Sequence, residues 1–572
     1  MARRRDVAAA AAALVMLLAA VAAAAAGSPE QGFQPLSKIA IHKTTVEMQP
    51  SAYVRPTPSL LGEQGQDTEW VKVKYGRTTP SVDDWIAVFS PADFNGEDPK
   101  LCTAPIKFQY ANYSANYIYW GKGSIKLQLL NQRSDFSFAL FTGGLDNPKL
   151  IAVSEPISFK NPKAPVFPRL AQGKTHDEMA VTWTSGYDID EAYPFVEWGA
   201  VVSGAGGQAA RAPAGTLTFN RGSMCGDPAR TVGWRDPGFI HTAFLRDLWP
   251  NKEYYYKIGH EMQDGSVVWG KNYTFRAPPS PGQKSLQRII VFGDMGKAER
   301  DGSNEFADYQ PGSLNTTDTL INDLDNYDIV FHIGDLPYAN GYISQWDHGG
   351  FYDGKDSGGE CGVPAETYYY YPAENRAKFW YKVDYGMFRF CIADSEHDWR
   401  VGTEQYKFIE ECLSTVDRKH QPWLIFAAHR VLGYSSNAWY GMEGSFEEPE
   451  GREHLQKLWQ KYRVDIAFYG HSQCMTSEKS HYSGTMNGTI HVVAGGGGSH
   501  LSDYSTAIPM WSIYRDLDFG FVKLTAFNHS SLLFEYKKSS DGKVYDSFAI
   551  DRDYRDVLSC VHDSCFPTTL AS

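Results

Sequence analysis

The sequence predicts a multidomain chain in which two all-β sandwiches precede an α/β domain, and three observations carry that prediction. Residues 28 to about 160 and 161 to 279 hold short runs that alternate apolar and polar residues between Gly, Pro and Asn, as half-buried sandwich strands do. Ala277-Pro278-Pro279-Ser280-Pro281-Gly282 then marks a boundary, expected to be extended and exposed because Pro cannot donate to a ladder. Beyond it, four apolar runs of strand length each end in Gly-Asp or in His.

At 572 residues the chain is too long for one core, and about two to four domains are expected. Met1-Ala2-Arg3-Arg4-Arg5 and the Ala/Leu/Val run from Val7 to Ala26 match a secretory signal peptide, with an amino-terminal membrane anchor as the alternative. No other stretch reads as a membrane span, so no membrane contact is expected after cleavage. Removing residues 1–26 deletes three Arg and one Asp and moves the formal charge from −13 to −15. An acidic surface argues against nucleic acid as a partner. It also means that a phosphate compound must be drawn in by local positive charge rather than by the global field.

The eight cysteines form an even set behind an export signal, so disulfides are expected, and no CxxC pair suggests a zinc ribbon. Asn-x-Ser/Thr sequons begin at Asn112, Asn272, Asn315, Asn487 and Asn528, expected glycosylation sites in a secreted protein.

In the first sandwich, Trp70-Val71-Lys72-Val73-Lys74-Tyr75 and Ile125-Lys126-Leu127-Gln128-Leu129-Leu130 show the alternation most clearly, and nothing there looks catalytic. Asn161-Pro162-Lys163-Ala164-Pro165 reads as a linker. The second module places a Trp on an early strand, Met179 to Thr184, and a Tyr-rich late strand, Glu253 to Ile258, which fits a fibronectin type III-like sandwich acting as a spacer.

In the α/β region, Arg288 to Phe292 closes in Gly293-Asp294, and Ile329 to Ile333 closes in Gly334-Asp335 with Tyr338 three residues on. Trp423 to Ala428 ends in His429, and Val464 to Tyr469 ends in Gly470-His471. Helical patterns from Asn315 to Leu324 and from Arg452 to Tyr462 separate them in pairs, with Leu455, Leu458 and Trp459 on one face of the second. Strand, helix, strand repeats imply parallel pairing with all four strand ends on one edge. Asp294, Asp335, Tyr338, His429 and His471 are therefore expected in one crevice. Oxygen and imidazole donors without thiolate suit iron, zinc or manganese. From Trp346 to Tyr385 no helix or strand pattern is visible, an unusually long connection inside a compact domain. The Gly495 to Gly498 run lacks the ending of a P-loop and reads as a flexible turn, and Phe519 to Lys523 and Ser531 to Tyr536 supply closing strands.

Asp294-Met295-Gly296, Gly334-Asp335-Leu336-Pro337-Tyr338, His429 and Gly470-His471 together resemble the plant high-molecular-weight purple acid phosphatases, within the calcineurin-like metallophosphoesterase superfamily. The likeness extends over essentially the whole mature chain. It is nearest to the large subgroup whose members are called inactive or nucleotide-pyrophosphatase-like. The implied fold is two amino-terminal all-β sandwiches followed by an α/β metallophosphoesterase β-sandwich with flanking helices. The implied divisions are a signal peptide at 1–26, the first sandwich at 27–160 and the fibronectin type III-like family module at 161–279. The metallophosphoesterase domain follows at 285–486 with apparent internal deletions, then its carboxyl-terminal part at 487–550 and a tail at 551–572.

By that resemblance Asp294 and Tyr338 would hold a ferric ion, Asp335 would bridge two metals, and His429 and His471 would hold a divalent partner, zinc, manganese or iron. The implied activity is hydrolysis of phosphate monoesters or nucleotide phosphoanhydrides by a metal-bound hydroxide. The family adds the Asn of a Gly-Asn-His-Glu motif and the second His of Gly-His-x-His. Here the chain passes from Trp346-Asp347 straight to His348-Gly349-Gly350, and Gln473 stands at the second His position. The first gap removes roughly thirty residues, the size of a helix and strand, and with them the His expected to act on the phosphoryl group. Asp394-Ser395-Glu396-His397-Asp398 follows a different strand and is not taken as a replacement. The expected chain is thus an impaired phosphatase, secreted to the wall or apoplast; the resemblance permits a homodimer. The alternatives are a non-catalytic binding or scaffold protein of the same fold, or a defective splice form.

Overall fold

The computed structural model describes residues 44–92, 104–201, 209–303, 312–336, 338–339, 341–348, 358–430, 450–470, 475–479, 489–499, 501 and 512–553. In the first module a three-stranded sheet (Tyr53–Thr57, Thr68–Gly76, Lys122–Leu130) faces a five-stranded one that includes Trp85–Phe89, Lys107–Tyr110 and Ser137–Thr142. The alternation read from the sequence is the packing itself. Val71, Val73 and Tyr75 point inward with Ile125, Leu127 and Leu129, while Trp70, Lys72 and Lys74 face water.

The second module winds seven strands in the order Val166–Gln172, Met179–Ser185, Phe239–Leu245, Ala210–Leu217, Ala192–Ala200, Glu253–Met262, Val267–Arg276. Trp183, Tyr254 and Tyr256 are buried in its core. Beside Trp183 lie two fully buried histidines whose rings meet edge to face at 4.7 Å. His260 Nε2 accepts from Trp183 Nε1 at 3.0 Å, and the two nitrogens of His241 reach Ser185 Oγ and Thr216 Oγ1, each at 2.8 Å.

The α/β domain is two facing sheets with helices outside. One sheet orders Ile329–His332, Gln287–Phe292, Gly520–Ala526, Ser531–Lys538 and Val544–Asp551, its first pair parallel and the rest antiparallel. The other begins Tyr381–Tyr385, Phe388–Ile392, Trp423–Ala428, Ile466–Tyr469, Ile490–Ala494, with parallel pairing from Phe388–Ile392 onward. Between them Ile289, Val291, Phe390, Ile425, Phe468 and Val522 form the largest core. Helix Glu450–Tyr462 buries Leu455, Leu458 and Trp459 as its spacing predicts, and helix Gly312–Asn322 covers the opposite face.

Several expectations need correction. The four site strands lie not along one sheet edge but two in each sheet, so the crevice forms where the sheets face each other. The Pro-rich boundary is not exposed: Ala277, Pro278 and Pro279 are buried, because the second module packs against the α/β domain there. The stretch from Trp346 to Tyr385 contains helix Val363–Tyr368 and strand Tyr381–Tyr385, and it is pinned to the second module by Cys225–Cys361. A second bridge, Cys391–Cys412, ties helix Glu404–Ser414 to its sheet; that helix was not foreseen. Asn112, Asn272, Asn315 and Asn528 are exposed, while Asn487, like the leader, His471, Gln473 and the other four cysteines, lies outside the described residues.

Strand Ile329–His332 has the composition of a doubly buried strand, yet Val330 is 42% exposed. Among the described residues it is the last strand of its sheet, and it borders a cleft of about 1710 Å³ that reaches to Arg169, Arg276, Tyr371 and Tyr381. That volume exceeds the roughly 300–1,000 Å³ of ordinary ligand pockets.

Burial holds the pKa of His241 down to about 3, helped by His260, and burial holds that of His260 at about 4. The unfolded chain takes up these protons near pH 6.5 and the folded one does not, so stability falls as pH drops below 6.5. At about 1.4 kcal/mol per pH unit per group, the pair costs on the order of 4 kcal/mol by pH 5. His260→Gln keeps an acceptor for Trp183, and denaturant melts from pH 7 to pH 5 are expected to show about half the wild-type loss.

Candidate metal centre

Asp294, Asp335 and His429 bring ligand atoms within 4.8 Å of one another at the carboxyl ends of three strands from both sheets. Tyr338 joins them, its hydroxyl donating to Asp294 Oδ1 at 2.6 Å, and His429 Nε2 stands 3.2 Å from Asp335 Oδ2. Four of the five residues expected in one crevice are therefore together. His471 follows the described Gly470, whose backbone N–H donates to the His429 carbonyl at 2.9 Å.

Local backbone geometry shows how the chain achieves this. Asp294, Asp335 and Tyr338 have φ of 58°, 51° and 50°, a left-handed conformation that costs a non-glycine residue about 1–3 kcal/mol and persists only where surroundings enforce it. Hydrogen bonds between strand ends do the enforcing. Gly293 N–H donates to the Ala494 carbonyl, Asp294 N–H to that of Gly334, Gly497 N–H to that of Gly293 and Ser499 N–H to that of Asp294. The glycine run is thus close-packed backbone rather than a flexible turn: a Cβ on Gly497 would lie 2.3 Å from the Gly293 oxygen. A Cβ on Gly334, itself at φ 121°, would lie 2.3 Å from His429 Nδ1.

The electrostatics ask for a cation. Burial alone would lower the His429 pKa, but the Asp335 and Asp294 carboxylates outweigh it and push the imidazole up to about 9. Burial, with Asp294 and Asp335, pushes the Tyr338 phenol far above its usual range, so it keeps its proton for Asp294. Two carboxylates are thus balanced by an imidazolium, and a bound cation would take over that role and release the His429 and Tyr338 protons. His429 Nδ1 stands 3.2 Å from the Ile333 carbonyl, which orients the ring with Nε2 toward Asp335, as supporting contacts do for metal-binding histidines. Hard oxygen donors with one imidazole fit iron, zinc or manganese.

Asp394-Ser395-Glu396-His397 lines the same cleft but stays out of the cluster. Asp394 binds His397 Nδ1 at 2.5 Å, and Glu396 Oε1 accepts from Arg430 Nε at 2.6 Å, so both carboxylates are engaged by cation-capable side chains. Sequence reading missed His332, which burial holds near pKa 4, against the Phe292 ring, with no hydrogen-bond partner on either nitrogen among the described residues. It also missed Lys107, since a lysine on an alternating strand reads as solvent-facing.

Comparison with known proteins adds independent findings. "Fn3-like domain from Purple Acid Phosphatase" matches residues 54–161, "Purple acid Phosphatase, N-terminal domain" residues 165–277, and "Iron/zinc purple acid phosphatase-like protein C" residues 488–547. "Probable inactive purple acid phosphatase 27" of Arabidopsis thaliana is 63% identical over 592 positions, covering 95% of this chain and 96% of that protein. Those 592 positions exceed the 572 residues here, so the relative has positions that this chain lacks. A "Nucleotide pyrophosphatase/phosphodiesterase" of Hordeum vulgare is 76% identical over 349 residues, 54% of this chain and 95% of that protein. The solved purple acid phosphatase PPD1 of Lupinus luteus seeds is 60% identical with a TM-score of 0.85, covering 92% of this chain and 100% of that one.

Gly334→Ala and Gly402→Ala test the crowding at the centre. Both glycines have positive φ, but nothing lies within 4 Å of a Cβ on Gly402. Gly402→Ala is expected to cost about 1 kcal/mol and Gly334→Ala about 2–4 kcal/mol, read from denaturant melts, with a shifted His429 ring resonance only in the latter.

Proposed function

The chain belongs to the purple acid phosphatase family, and on that premise we propose that it is an exported, N-glycosylated metallohydrolase acting on phosphate monoesters or nucleotide phosphoanhydrides, with turnover impaired by two missing ligand positions. The observation that carries the reading is the convergence of Asp294, Asp335, Tyr338 and His429 on one cation-seeking point, without a Gly-Asn-His-Glu segment beside it.

Cations bound there would supply Lewis-acid charge to water and to the phosphoryl oxygens. The chain's own residues would do the positioning. Asp294 and Tyr338 would provide oxygen donors on one side, Asp335 would be shared, and His429 would be held in orientation by the Ile333 carbonyl. Arg430, buried in the cleft wall and paired with Glu396, would add positive charge near an anionic substrate. The printed names of the Arabidopsis relative and of the barley relative support, respectively, impairment and a nucleotide-type substrate. The open edge at Ile329–His332 and the cleft beside it support the absence of a strand's worth of chain. The leader and the exposed sequons support export to the wall or apoplast.

Purified full-length protein should hydrolyse p-nitrophenyl phosphate and a nucleotide diphosphate sugar at least about 10²-fold more slowly than a relative that retains both motifs. Elemental analysis should find less than two metal ions per chain. Full occupancy with ordinary turnover refutes the impairment; tight substrate binding without turnover favours a binding protein of the same fold.

A further inference from the structure

Lys107 belongs to the first β-sandwich, on strand Lys107–Tyr110, yet it is fully buried. Its ammonium donates to Gln128 O at 2.7 Å, Glu299 Oε2 at 2.9 Å and Asp301 Oδ2 at 2.8 Å, which accounts for all three of its protons. Glu299 and Asp301 lie five and seven residues beyond Asp294, on the loop that carries it. Asp301 also accepts from Gln128 N–H at 2.7 Å and from Ser303 N–H at 2.9 Å.

The same cluster reaches the loop that follows Tyr338. Glu299 pairs with Lys297, and Lys297 Nζ donates to Gln345 Oε1 at 3.0 Å. Four charges, two of each sign, are thus sequestered at one junction of the first sandwich with both ligand-bearing loops. Apolar packing reinforces it: Tyr342 is buried against Trp85, Phe108 and Phe141 of the sandwich. Gln109 Nε2 also donates to the Gly302 carbonyl. Burying charges is costly unless they are paired and hydrogen-bonded, so the junction is favourable only when both loops are in register. That is a positional constraint, delivered to the backbone a few residues from Asp294 and Tyr338.

We propose that Lys107 is a positioning residue for the metal centre, through which the amino-terminal β-sandwich sets the loop carrying Asp294. The inference rests on Asp294 and Tyr338 being ligands, as read above. The sandwich is then part of the machinery that shapes the centre rather than a detachable spacer.

The test uses the full chain with Lys107→Met, Lys107→Arg and the charge-neutral double variant Lys107→Met, Asp301→Asn, which leaves Lys297 paired with Glu299. Amide hydrogen exchange over residues 294–303 is expected to rise about ten-fold or more in Lys107→Met, while Trp85–Phe89 and Ser137–Thr142 keep their protection. Lys107→Arg, which retains charge and donors, is expected to stay within about three-fold of wild type. Unchanged exchange at 294–303, or equal loss of protection through the whole sandwich, overturns the proposal. If Lys107→Met does not fold, the double variant, which removes one charge of each sign and keeps the Lys297–Glu299 pair, decides by the same readout. A parallel titration with ferric iron follows the tyrosine-to-iron absorption band, expected to weaken in Lys107→Met and return in Lys107→Arg. Wild-type protein that takes up no iron defeats the ligand assignment, whereas the exchange result still decides whether Lys107 holds the loop.

Discussion

The centre depends on a close approach of backbones where two sheets meet. Gly293, Gly334, Gly470 and Gly497 let four chain segments come within hydrogen-bonding reach of one another, and at Gly334 and Gly497 a single added carbon would collide with what lies opposite. Crowding of that kind leaves Asp294, Asp335 and Tyr338 no room for ordinary backbone angles and turns their side chains toward one point. The strain is sustained by the core between the sheets, where Ile289, Phe390, Ile425 and Phe468 are essentially inaccessible to water.

The amino-terminal modules belong to the same construction. Phe219, Met224 and Ile240 of the second module share a cluster with Ala339, Ile343 and Trp346, on the segment that follows Tyr338. Glu360 Oε1, next to the bridged Cys361, accepts from Gly341 N–H at 2.8 Å and from Trp346 Nε1 at 3.1 Å. Both sandwiches therefore pack on the same short stretch, and the geometry of the centre is a property of three domains.

Much of this was legible before any coordinates. Period-two alternation located the sandwich strands because one face of each is truly dry, and Gly-Asp or His after an apolar run pointed to Asp294, Asp335 and His429, with Tyr338 three residues past Asp335. What escaped notice depended on tertiary context. Lys107 sits on an alternating strand where a lysine ordinarily meets water, and only the docking of a distant loop gives it partners. Helix Glu404–Ser414 was overlooked although Thr403 caps it and Ile409, Cys412 and Leu413 make its inner face, because charged residues dilute that pattern. The partition of the parallel strands between two sheets is invisible to local periodicity, since both arrangements need the same apolar runs. The burial of Pro278 and Pro279 likewise reflects a domain interface rather than local chemistry.

The half-bare strand Ile329–His332 has a consequence of its own. Sheet proteins normally blunt their outermost strands with charge, proline or a covering element, and this one carries Ile, Val and Phe instead. Among the described residues no strand pairs with its outer side, and carbonyls and amides there are a template for an extended chain that meets them. Among the described residues this strand is therefore the expected starting point of self-association at high concentration, and Val330→Lys is the simplest change to suppress it.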